Sequence, residues 1–145
     1  MLGKVSVKRF GLSKHERIKK KNEISLLFNS GKRIYSNSRK LKAIFYIEQK
    51  KAGTVKIVPA VYKKAGNAVW RNRIKRLIRE SYRLNKEILT SVIGNRNLFL
   101  MISPNSINKK KYPRLFLKDI ESDIIEILNT IKNHILTEQN KTGNS

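Results

Sequence analysis

The sequence predicts a single α+β domain. Three observations carry that expectation: segments with apolar residues at helical spacing, others rich in β-branched and aromatic residues, and a length of 145 residues that allows one modest core. The predicted order is helix, strand, strand, strand, helix, strand, helix, with helices packed on a sheet. A flexible basic N-terminus is expected at 1–12, the folded domain at 13–136 and a disordered polar tail at 137–145. Internal repeats and low-complexity tracts are absent, and only two short lysine runs, 19–21 and 109–111, stand out.

The first helix is expected within 13–30, where Ile18, Ile24, Leu27 and Phe28 fit a helical stripe and Ser30-Gly31 supplies a stop. A short strand near 32–35 follows. Segments 41–48 and 55–62 read as an antiparallel hairpin joined by a longer loop containing Gly53. Pro59 cannot donate a ladder hydrogen bond, which assigns it to an edge or a bulge.

From 68 to 89 the pattern is helical. Trp70, Ile74, Leu77, Ile78, Leu84 and Ile88 gather on one side, while Arg71, Asn72, Lys75, Arg76, Arg79, Arg83 and Lys86 share an adjoining arc flanked by Arg73. Gly94-Asn95 ends it, and 97–102 is an apolar strand closed by Ser103-Pro104. Strand, helix, strand is a crossover unit that joins parallel strands. In the last helix Ile120, Ile124, Ile127, Leu128, Ile131 and Ile135 form the core stripe, and Asp119, Asp123 and Glu126 are expected on an opposite, solvated face.

Charge narrows the function. Lys and Arg number 33 against 10 Asp and Glu, a formal charge of +23 on a chain that is 39% hydrophobic. A folded body this cationic repels itself and calls for a polyanion, nucleic acid before membrane. The longest apolar run, 98–102, falls far short of the ~20 residues that span a bilayer. The basic segment 1–10 leads into the polar stretch 15–22 and lacks the apolar centre of a secretory signal, so a cytoplasmic location is expected. Without cysteine, disulfide scaffolds and thiolate zinc sites are excluded.

The positive charge peaks in 63–80. Lys63, Lys64, Arg71, Arg73, Lys75, Arg76 and Arg79 face a single acid, Glu80, so the cluster stays unneutralised until an anion arrives. Arginine forks aligned along a helical arc can follow successive phosphates, and Asn72 can add a base or sugar contact. Gly66, just before the helix, either admits a phosphate to the helix N-terminus or simply supplies the turn.

This stretch resembles the signature of the protein component of bacterial ribonuclease P, Lys-Lys-x-Gly-Asn-Ala-Val-x-Arg-Asn-Arg-x-Lys-Arg-x-x-Arg, at every specified position from Lys63 to Arg79. A looser resemblance runs from about Arg17 to Leu136 and includes Phe-x-x-Gly at Phe28 and Gly31. Departures are Tyr62 where serine is usual, Ala65 where a larger aliphatic is usual, and Pro59 in the preceding strand.

The resemblance implies a ribosomal-protein-like fold with a mixed sheet and a left-handed crossover, against the general right-handed rule. It implies an accessory subunit of a ribonucleoprotein endonuclease that removes the 5′ leader from precursor tRNA, with catalysis and Mg²⁺ belonging to the RNA subunit. The partners implied are the catalytic RNA and the leader, with no further protein required. Lys63, Lys64, Asn67, Arg71, Asn72, Arg73, Lys75, Arg76 and Arg79 are then the residues for the catalytic RNA. A cleft between first helix and sheet would hold the leader, with Ile24, Phe28, Phe45 and Tyr46 as candidates, Ile24 standing where relatives often have phenylalanine. Alternation lets only one of Phe45 and Tyr46 face that cleft, and both readings, cleft and ordinary core, stay open for these residues. Trp70 is expected beneath the basic helix.

No protein active site is expected. His15 and His134 lie near opposite ends without a ligand pattern, and the carboxylates Asp119, Asp123 and Glu126 are the only set that could present oxygens to a metal. Two alternatives remain distinct: a structural RNA-binding protein without a leader cleft, and a metal-dependent nuclease built on that acidic stripe.

Overall fold

The computed structural model describes residues 12–49 and 52–143. Its centre is a mixed sheet of β1 (Lys32–Tyr35), β2 (Leu41–Glu48), β3 (Val55–Pro59) and β4 (Asn97–Pro104), in the order β1-β2-β4-β3. Helix α1 (Lys21–Ser30) covers one face through Leu27, Ile24 and Leu26, which pack on Phe99 and Met101. Helices α2 (Ala68–Asn85) and α4 (Glu121–Gly143) cover the other, with the short α3 (Glu87–Thr90) set against α4. The main core lies there, where Leu98, Leu100 and Ile102 of β4 meet Trp70, Ile74 and Ile78 of α2 and the isoleucines of α4.

The expected hairpin of 41–48 and 55–62 does not form. Those strands run in opposite senses, but β4 lies between them, antiparallel to β2 and parallel to β3. The reason is burial: Leu98 to Ile102 are apolar at every position and buried on both sides, which suits the sheet interior, whereas β2 alternates and suits a place with one covered face. Asn97 ties the arrangement at its end, accepting from the Thr54 hydroxyl at 2.8 Å and donating to Glu48 at 3.2 Å. The β3–α2–β4 crossover thus joins parallel strands, as expected.

Strand β3 is an edge, and it stops at Pro59, so that proline sits where a missing donor is tolerated. Part of this edge is covered by the N-terminal segment, where the Ile18 amide donates to the Ile57 carbonyl at 2.9 Å. The first helix is accordingly shorter than the expected 13–30. A 3₁₀ turn at Lys14–Glu16 gives way to extended backbone, and α1 begins only at Lys21. No apolar residue lies between Ile18 and Ile24, a gap that breaks the helical stripe. At the other end of α1 a Cβ on Gly31 would collide with the Leu27 carbonyl and the Ile44 side chain, so only glycine lets β1 leave the helix so close to β2.

On α2 the buried stripe is rotated relative to expectation. Leu84 is exposed and Tyr82 is fully buried, each about 80° from Ile74 but on opposite sides. The basic N-terminal segment 1–11 lies outside the described residues, while Leu12, placed in that segment, is buried in the core. Helix α4 continues past the expected boundary at 136 to Gly143.

The acidic stripe of α4 is not a solvated face. Asp123 is only 4% exposed and accepts a hydrogen bond from Ser38 at 3.1 Å, and Glu126 accepts from the backbone and side-chain amides of Asn37 at 3.0 and 3.3 Å. Asp119 caps its own turn by accepting the Phe116 amide at 2.8 Å. Asp123 and Glu126 clamp the β1–β2 turn, where Arg39 adopts a φ of 62° and stacks 4.7 Å from the Tyr35 ring centroid.

Candidate nucleic-acid interface

Helix α2 starts cleanly because Asn67 has extended backbone and its side-chain oxygen accepts the Trp70 amide at 3.0 Å. Trp70, Ile74, Leu77, Ile78 and Tyr82 hold one face against the sheet, which leaves Asn72, Arg73 and Arg76 exposed and Arg71, Lys75 and Arg79 half-buried on the other. Among the described residues no acid pairs with Arg71, Arg73, Lys75, Arg76 or Arg79. The nearby acids are committed elsewhere: Glu80 to Arg83, Glu16 to Lys86 at 3.0 Å, and Glu23 to Lys56 at 3.3 Å. Burial tends to raise the Glu16 pKa, but the hydrogen bonds from Lys86 and Ser13 outweigh it and leave the carboxyl below its usual range.

Asn72, Lys75, Arg76 and Arg79 line a hollow of about 520 Å³ whose opposite wall is Arg17, carried in by the segment between the first 3₁₀ turn and α1. Burial, and then the charge of Arg17, push the Arg79 guanidinium below its ordinary pKa. Glu80 also lines the hollow but its carboxylate is engaged by Arg83, so four cations, Arg17, Lys75, Arg76 and Arg79, stand there against one already paired acid, and the local field favours an anion. Sequence reasoning missed Arg17. Its only signal was the apolar gap after Ile18, which marks extended rather than helical chain.

The remaining predicted residues divide. Lys63 and Lys64 are exposed on a 3₁₀ turn immediately before α2. Arg73 donates through Nε to the Leu115 carbonyl at 2.7 Å, so it also braces the loop 105–116. Gly66 is extended, and a Cβ there would lie 2.9 Å from the Trp70 ring and 3.0 Å from Lys109 Cβ. Close packing by Trp70 and the loop is therefore what requires glycine.

A second hollow of about 400 Å³ opens between α1 and the sheet, lined by Phe28, Arg33, Tyr35, Lys42, Tyr62 and Met101 among others. Phe28 is 54% exposed, and Tyr35 and Tyr62 also show open rings. Of the four cleft candidates only Phe28 lines it. Ile24 and Tyr46 pack into the smaller core on the same face, while Phe45 is 3% exposed on the opposite face, its ring edge-on to His134 at 5.3 Å. The missed residues follow from strand register, since Tyr35 pairs with Lys42 and Arg33 with Ile44, and directly paired residues share a face. Tyr62, the departure from the usual serine, adds an aromatic wall and donates weakly to the Asn105 carbonyl at 3.5 Å.

Neither histidine builds a catalytic constellation. His15 is exposed on the first 3₁₀ turn, and His134 Nε2 lies 2.8 Å from Lys32 and 3.3 Å from Glu138. Among the described residues no three His, Cys, Asp or Glu side chains converge as a metal site, and no helix is long and apolar enough to cross a membrane.

Comparison with known proteins adds a lineage to this geometry. The family model for Ribonuclease P matches residues 12–122. The ribonuclease P protein component of Clostridium botulinum (strain Loch Maree) is 39% identical over 115 residues, covering 79% of this chain and 93% of that protein. Its Porphyromonas gingivalis counterpart is 37% identical over 94 residues, 65% of this chain and 69% of that one. Among solved structures, the Staphylococcus aureus ribonuclease P protein superposes with a TM-score of 0.58 at 26% identity, covering 83% of this chain and 92% of that chain. The Thermotoga maritima protein, at 20% identity and a TM-score of 0.60 over 79% of this chain and 96% of that one, shares the fold.

Proposed function

This chain belongs to the ribonuclease P protein family, and with it to tRNA 5′ processing within a ribonuclease complex that includes RNA; from that premise we propose that it is the non-catalytic, RNA-binding subunit. The observation that carries the reading is the α2 arc of Arg71, Lys75, Arg76 and Arg79, with which no acid forms an ion pair among the described residues; Lys75, Arg76 and Arg79 meet Arg17 in the hollow, where Glu80, the acid that also lines it, is engaged by Arg83. This face docks on the catalytic RNA, with Lys63, Lys64 and Asn72 extending it. The groove at Phe28, Tyr35 and Tyr62 takes the single-stranded leader, its rings offering stacking surfaces and Arg33 and Lys42 offering charge to the backbone.

Cleavage belongs to the RNA subunit. Asp123 accepts from Ser38 through one oxygen and Glu126 from Asn37 through both, and among the described residues no third His, Asp or Glu joins them, so the acidic stripe does not assemble the ligand set of a metal-dependent active site. In this reading magnesium serves the RNA and the complex works in the cytoplasm.

The test is cleavage of a 5′-extended precursor tRNA with Mg²⁺ by the protein alone, a bacterial ribonuclease P RNA alone, and both. Site-specific cleavage that rises only with both is the expected result. Cleavage by protein alone would overturn the assignment of catalysis, and no stimulation of a cognate RNA would reduce the chain to a general RNA-binding protein.

A further inference from the structure

The loop 105–116 between β4 and α4 carries the lysine run 109–111, and the basic face of α2 does not account for it. Four observations show that this loop is built onto the start of α2. Trp70 Nε1 donates to the Tyr112 carbonyl at 2.8 Å, Arg73 Nε to the Leu115 carbonyl at 2.7 Å, and the Lys109 amide to the Ala65 carbonyl at 2.8 Å. Gly66 admits Lys109 and Trp70 at a separation that a Cβ would forbid. The loop and the helix enclose a hollow of about 450 Å³.

Its walls combine two features that are seldom left in water together. Val69 is 77% exposed and Phe116 49% exposed, and both line the hollow. Lys109, Arg114 and Arg73 surround them, no acid lines it, and Lys118 Nζ lies 5.6 Å from the Phe116 ring centroid. The Asp119 carboxylate, three residues on from Phe116, is engaged by the Phe116 amide. An open ring within a rim of cations suits an unpaired nucleotide, whose base stacks on the ring while its phosphates meet the charges. A protein partner would have to bring several acids to this spot; an RNA brings them with every nucleotide.

We propose that this hollow is a second RNA-binding site, which takes an unpaired nucleotide of the ribonuclease P RNA on Phe116 and Val69 and its flanking phosphates on Lys109 and Arg114. The proposal rests on the α2 face docking on that RNA, because the hollow is continuous with the first turn of the same helix. It extends the interface from a phosphate-following arc to a contact that recognises an unstacked base.

The test measures binding of the folded ribonuclease P RNA, and separately of precursor tRNA, across a salt series for the wild type, Phe116→Ala, Phe116→Tyr, Lys109→Ala/Arg114→Ala and Arg76→Ala. Thermal melts confirm folding, which the exposed Phe116 does not govern. Phe116→Ala should weaken ribonuclease P RNA binding roughly tenfold, and Phe116→Tyr should restore it. The double variant should lower the log–log salt slope by about 1.5. In addition, Trp70, the sole tryptophan and a lining residue, should change fluorescence on RNA binding in the wild type and less in Phe116→Ala. Wild-type binding by both loop variants, with Arg76→Ala impaired, would overturn this site and leave the α2 reading standing. Wild-type binding by all variants would overturn both. A defect confined to precursor tRNA would overturn the choice of occupant.

Discussion

Helices α2 and α4 lie on the same face of the sheet, and each bears a line of like charges beside its buried isoleucines. The fates of these lines differ. On α4, Asp123 and Glu126 meet the hydroxyl of Ser38 and the amides of Asn37, so both acids are turned to holding the β1–β2 turn. On α2, the chain brings another cation, Arg17, to Arg76 and Arg79 and sends the nearby acids to Arg83 and Lys86. A charged stripe is therefore engaged in the fold or left available to a ligand according to what the tertiary fold sets opposite it: donors in one case, mostly more of the same charge in the other.

That contrast can be tested by substitution. The largest effect is expected from Arg76→Ala/Arg79→Ala, where two charge-assisted contacts of about 1.5 kcal/mol each are lost and RNA affinity falls on the order of a hundredfold. The melting temperature should hold, because no acid partner is abandoned; a loss of stability comparable to the loss of binding would place these arginines in the fold. A smaller effect is expected from Glu126→Ala, which strands the two Asn37 amides and should cost about 1 kcal/mol in urea unfolding while leaving RNA affinity unchanged. Reduced RNA binding at full stability would reverse that assignment.

The smallest and most diagnostic effect concerns Asp123. Burial pushes its carboxyl above the ordinary 3.8, with Ser38 and Lys40 pulling it down and Glu126 pushing it up. An acid whose pKa is higher in the fold than in the unfolded chain contributes stability below the unfolded value and loses it as pH rises through the folded one. Asp123→Asn keeps an acceptor for Ser38 and removes the titration. Its melting temperature relative to wild type should therefore climb as pH rises from about 3.8 and then level off. A flat difference would show that the turn already solvates the charge.

Much of the proposed interface was legible because it is local. The run from Lys63 to Arg79 carries its own cap in Asn67, its own buried stripe and its own excess of arginine, and helical spacing alone sorts these onto faces. The groove was less legible because strand pairing decides it. Phe45 and Tyr46 are adjacent and both aromatic, yet register turns Phe45 towards α4 and Tyr46 towards α1, and α1 then covers Tyr46. The rings that stay open, Tyr35 and Tyr62, lie on segments too short for periodicity to mark a face.

By itself the sequence determined the element types, the amphipathic α2 and the unbalanced positive charge, since each depends on neighbours within a few turns of chain. Only the tertiary structure decided that β4 separates β2 from β3, that Asp123 and Glu126 of α4 hold a turn, and that Arg17 and loop 105–116 join the two sides of α2. Those outcomes depend on which distant groups compete for one strand edge, one carboxylate or one face. That competition is settled by burial and hydrogen bonding across the whole molecule, over sequence separations that local spacing does not encode.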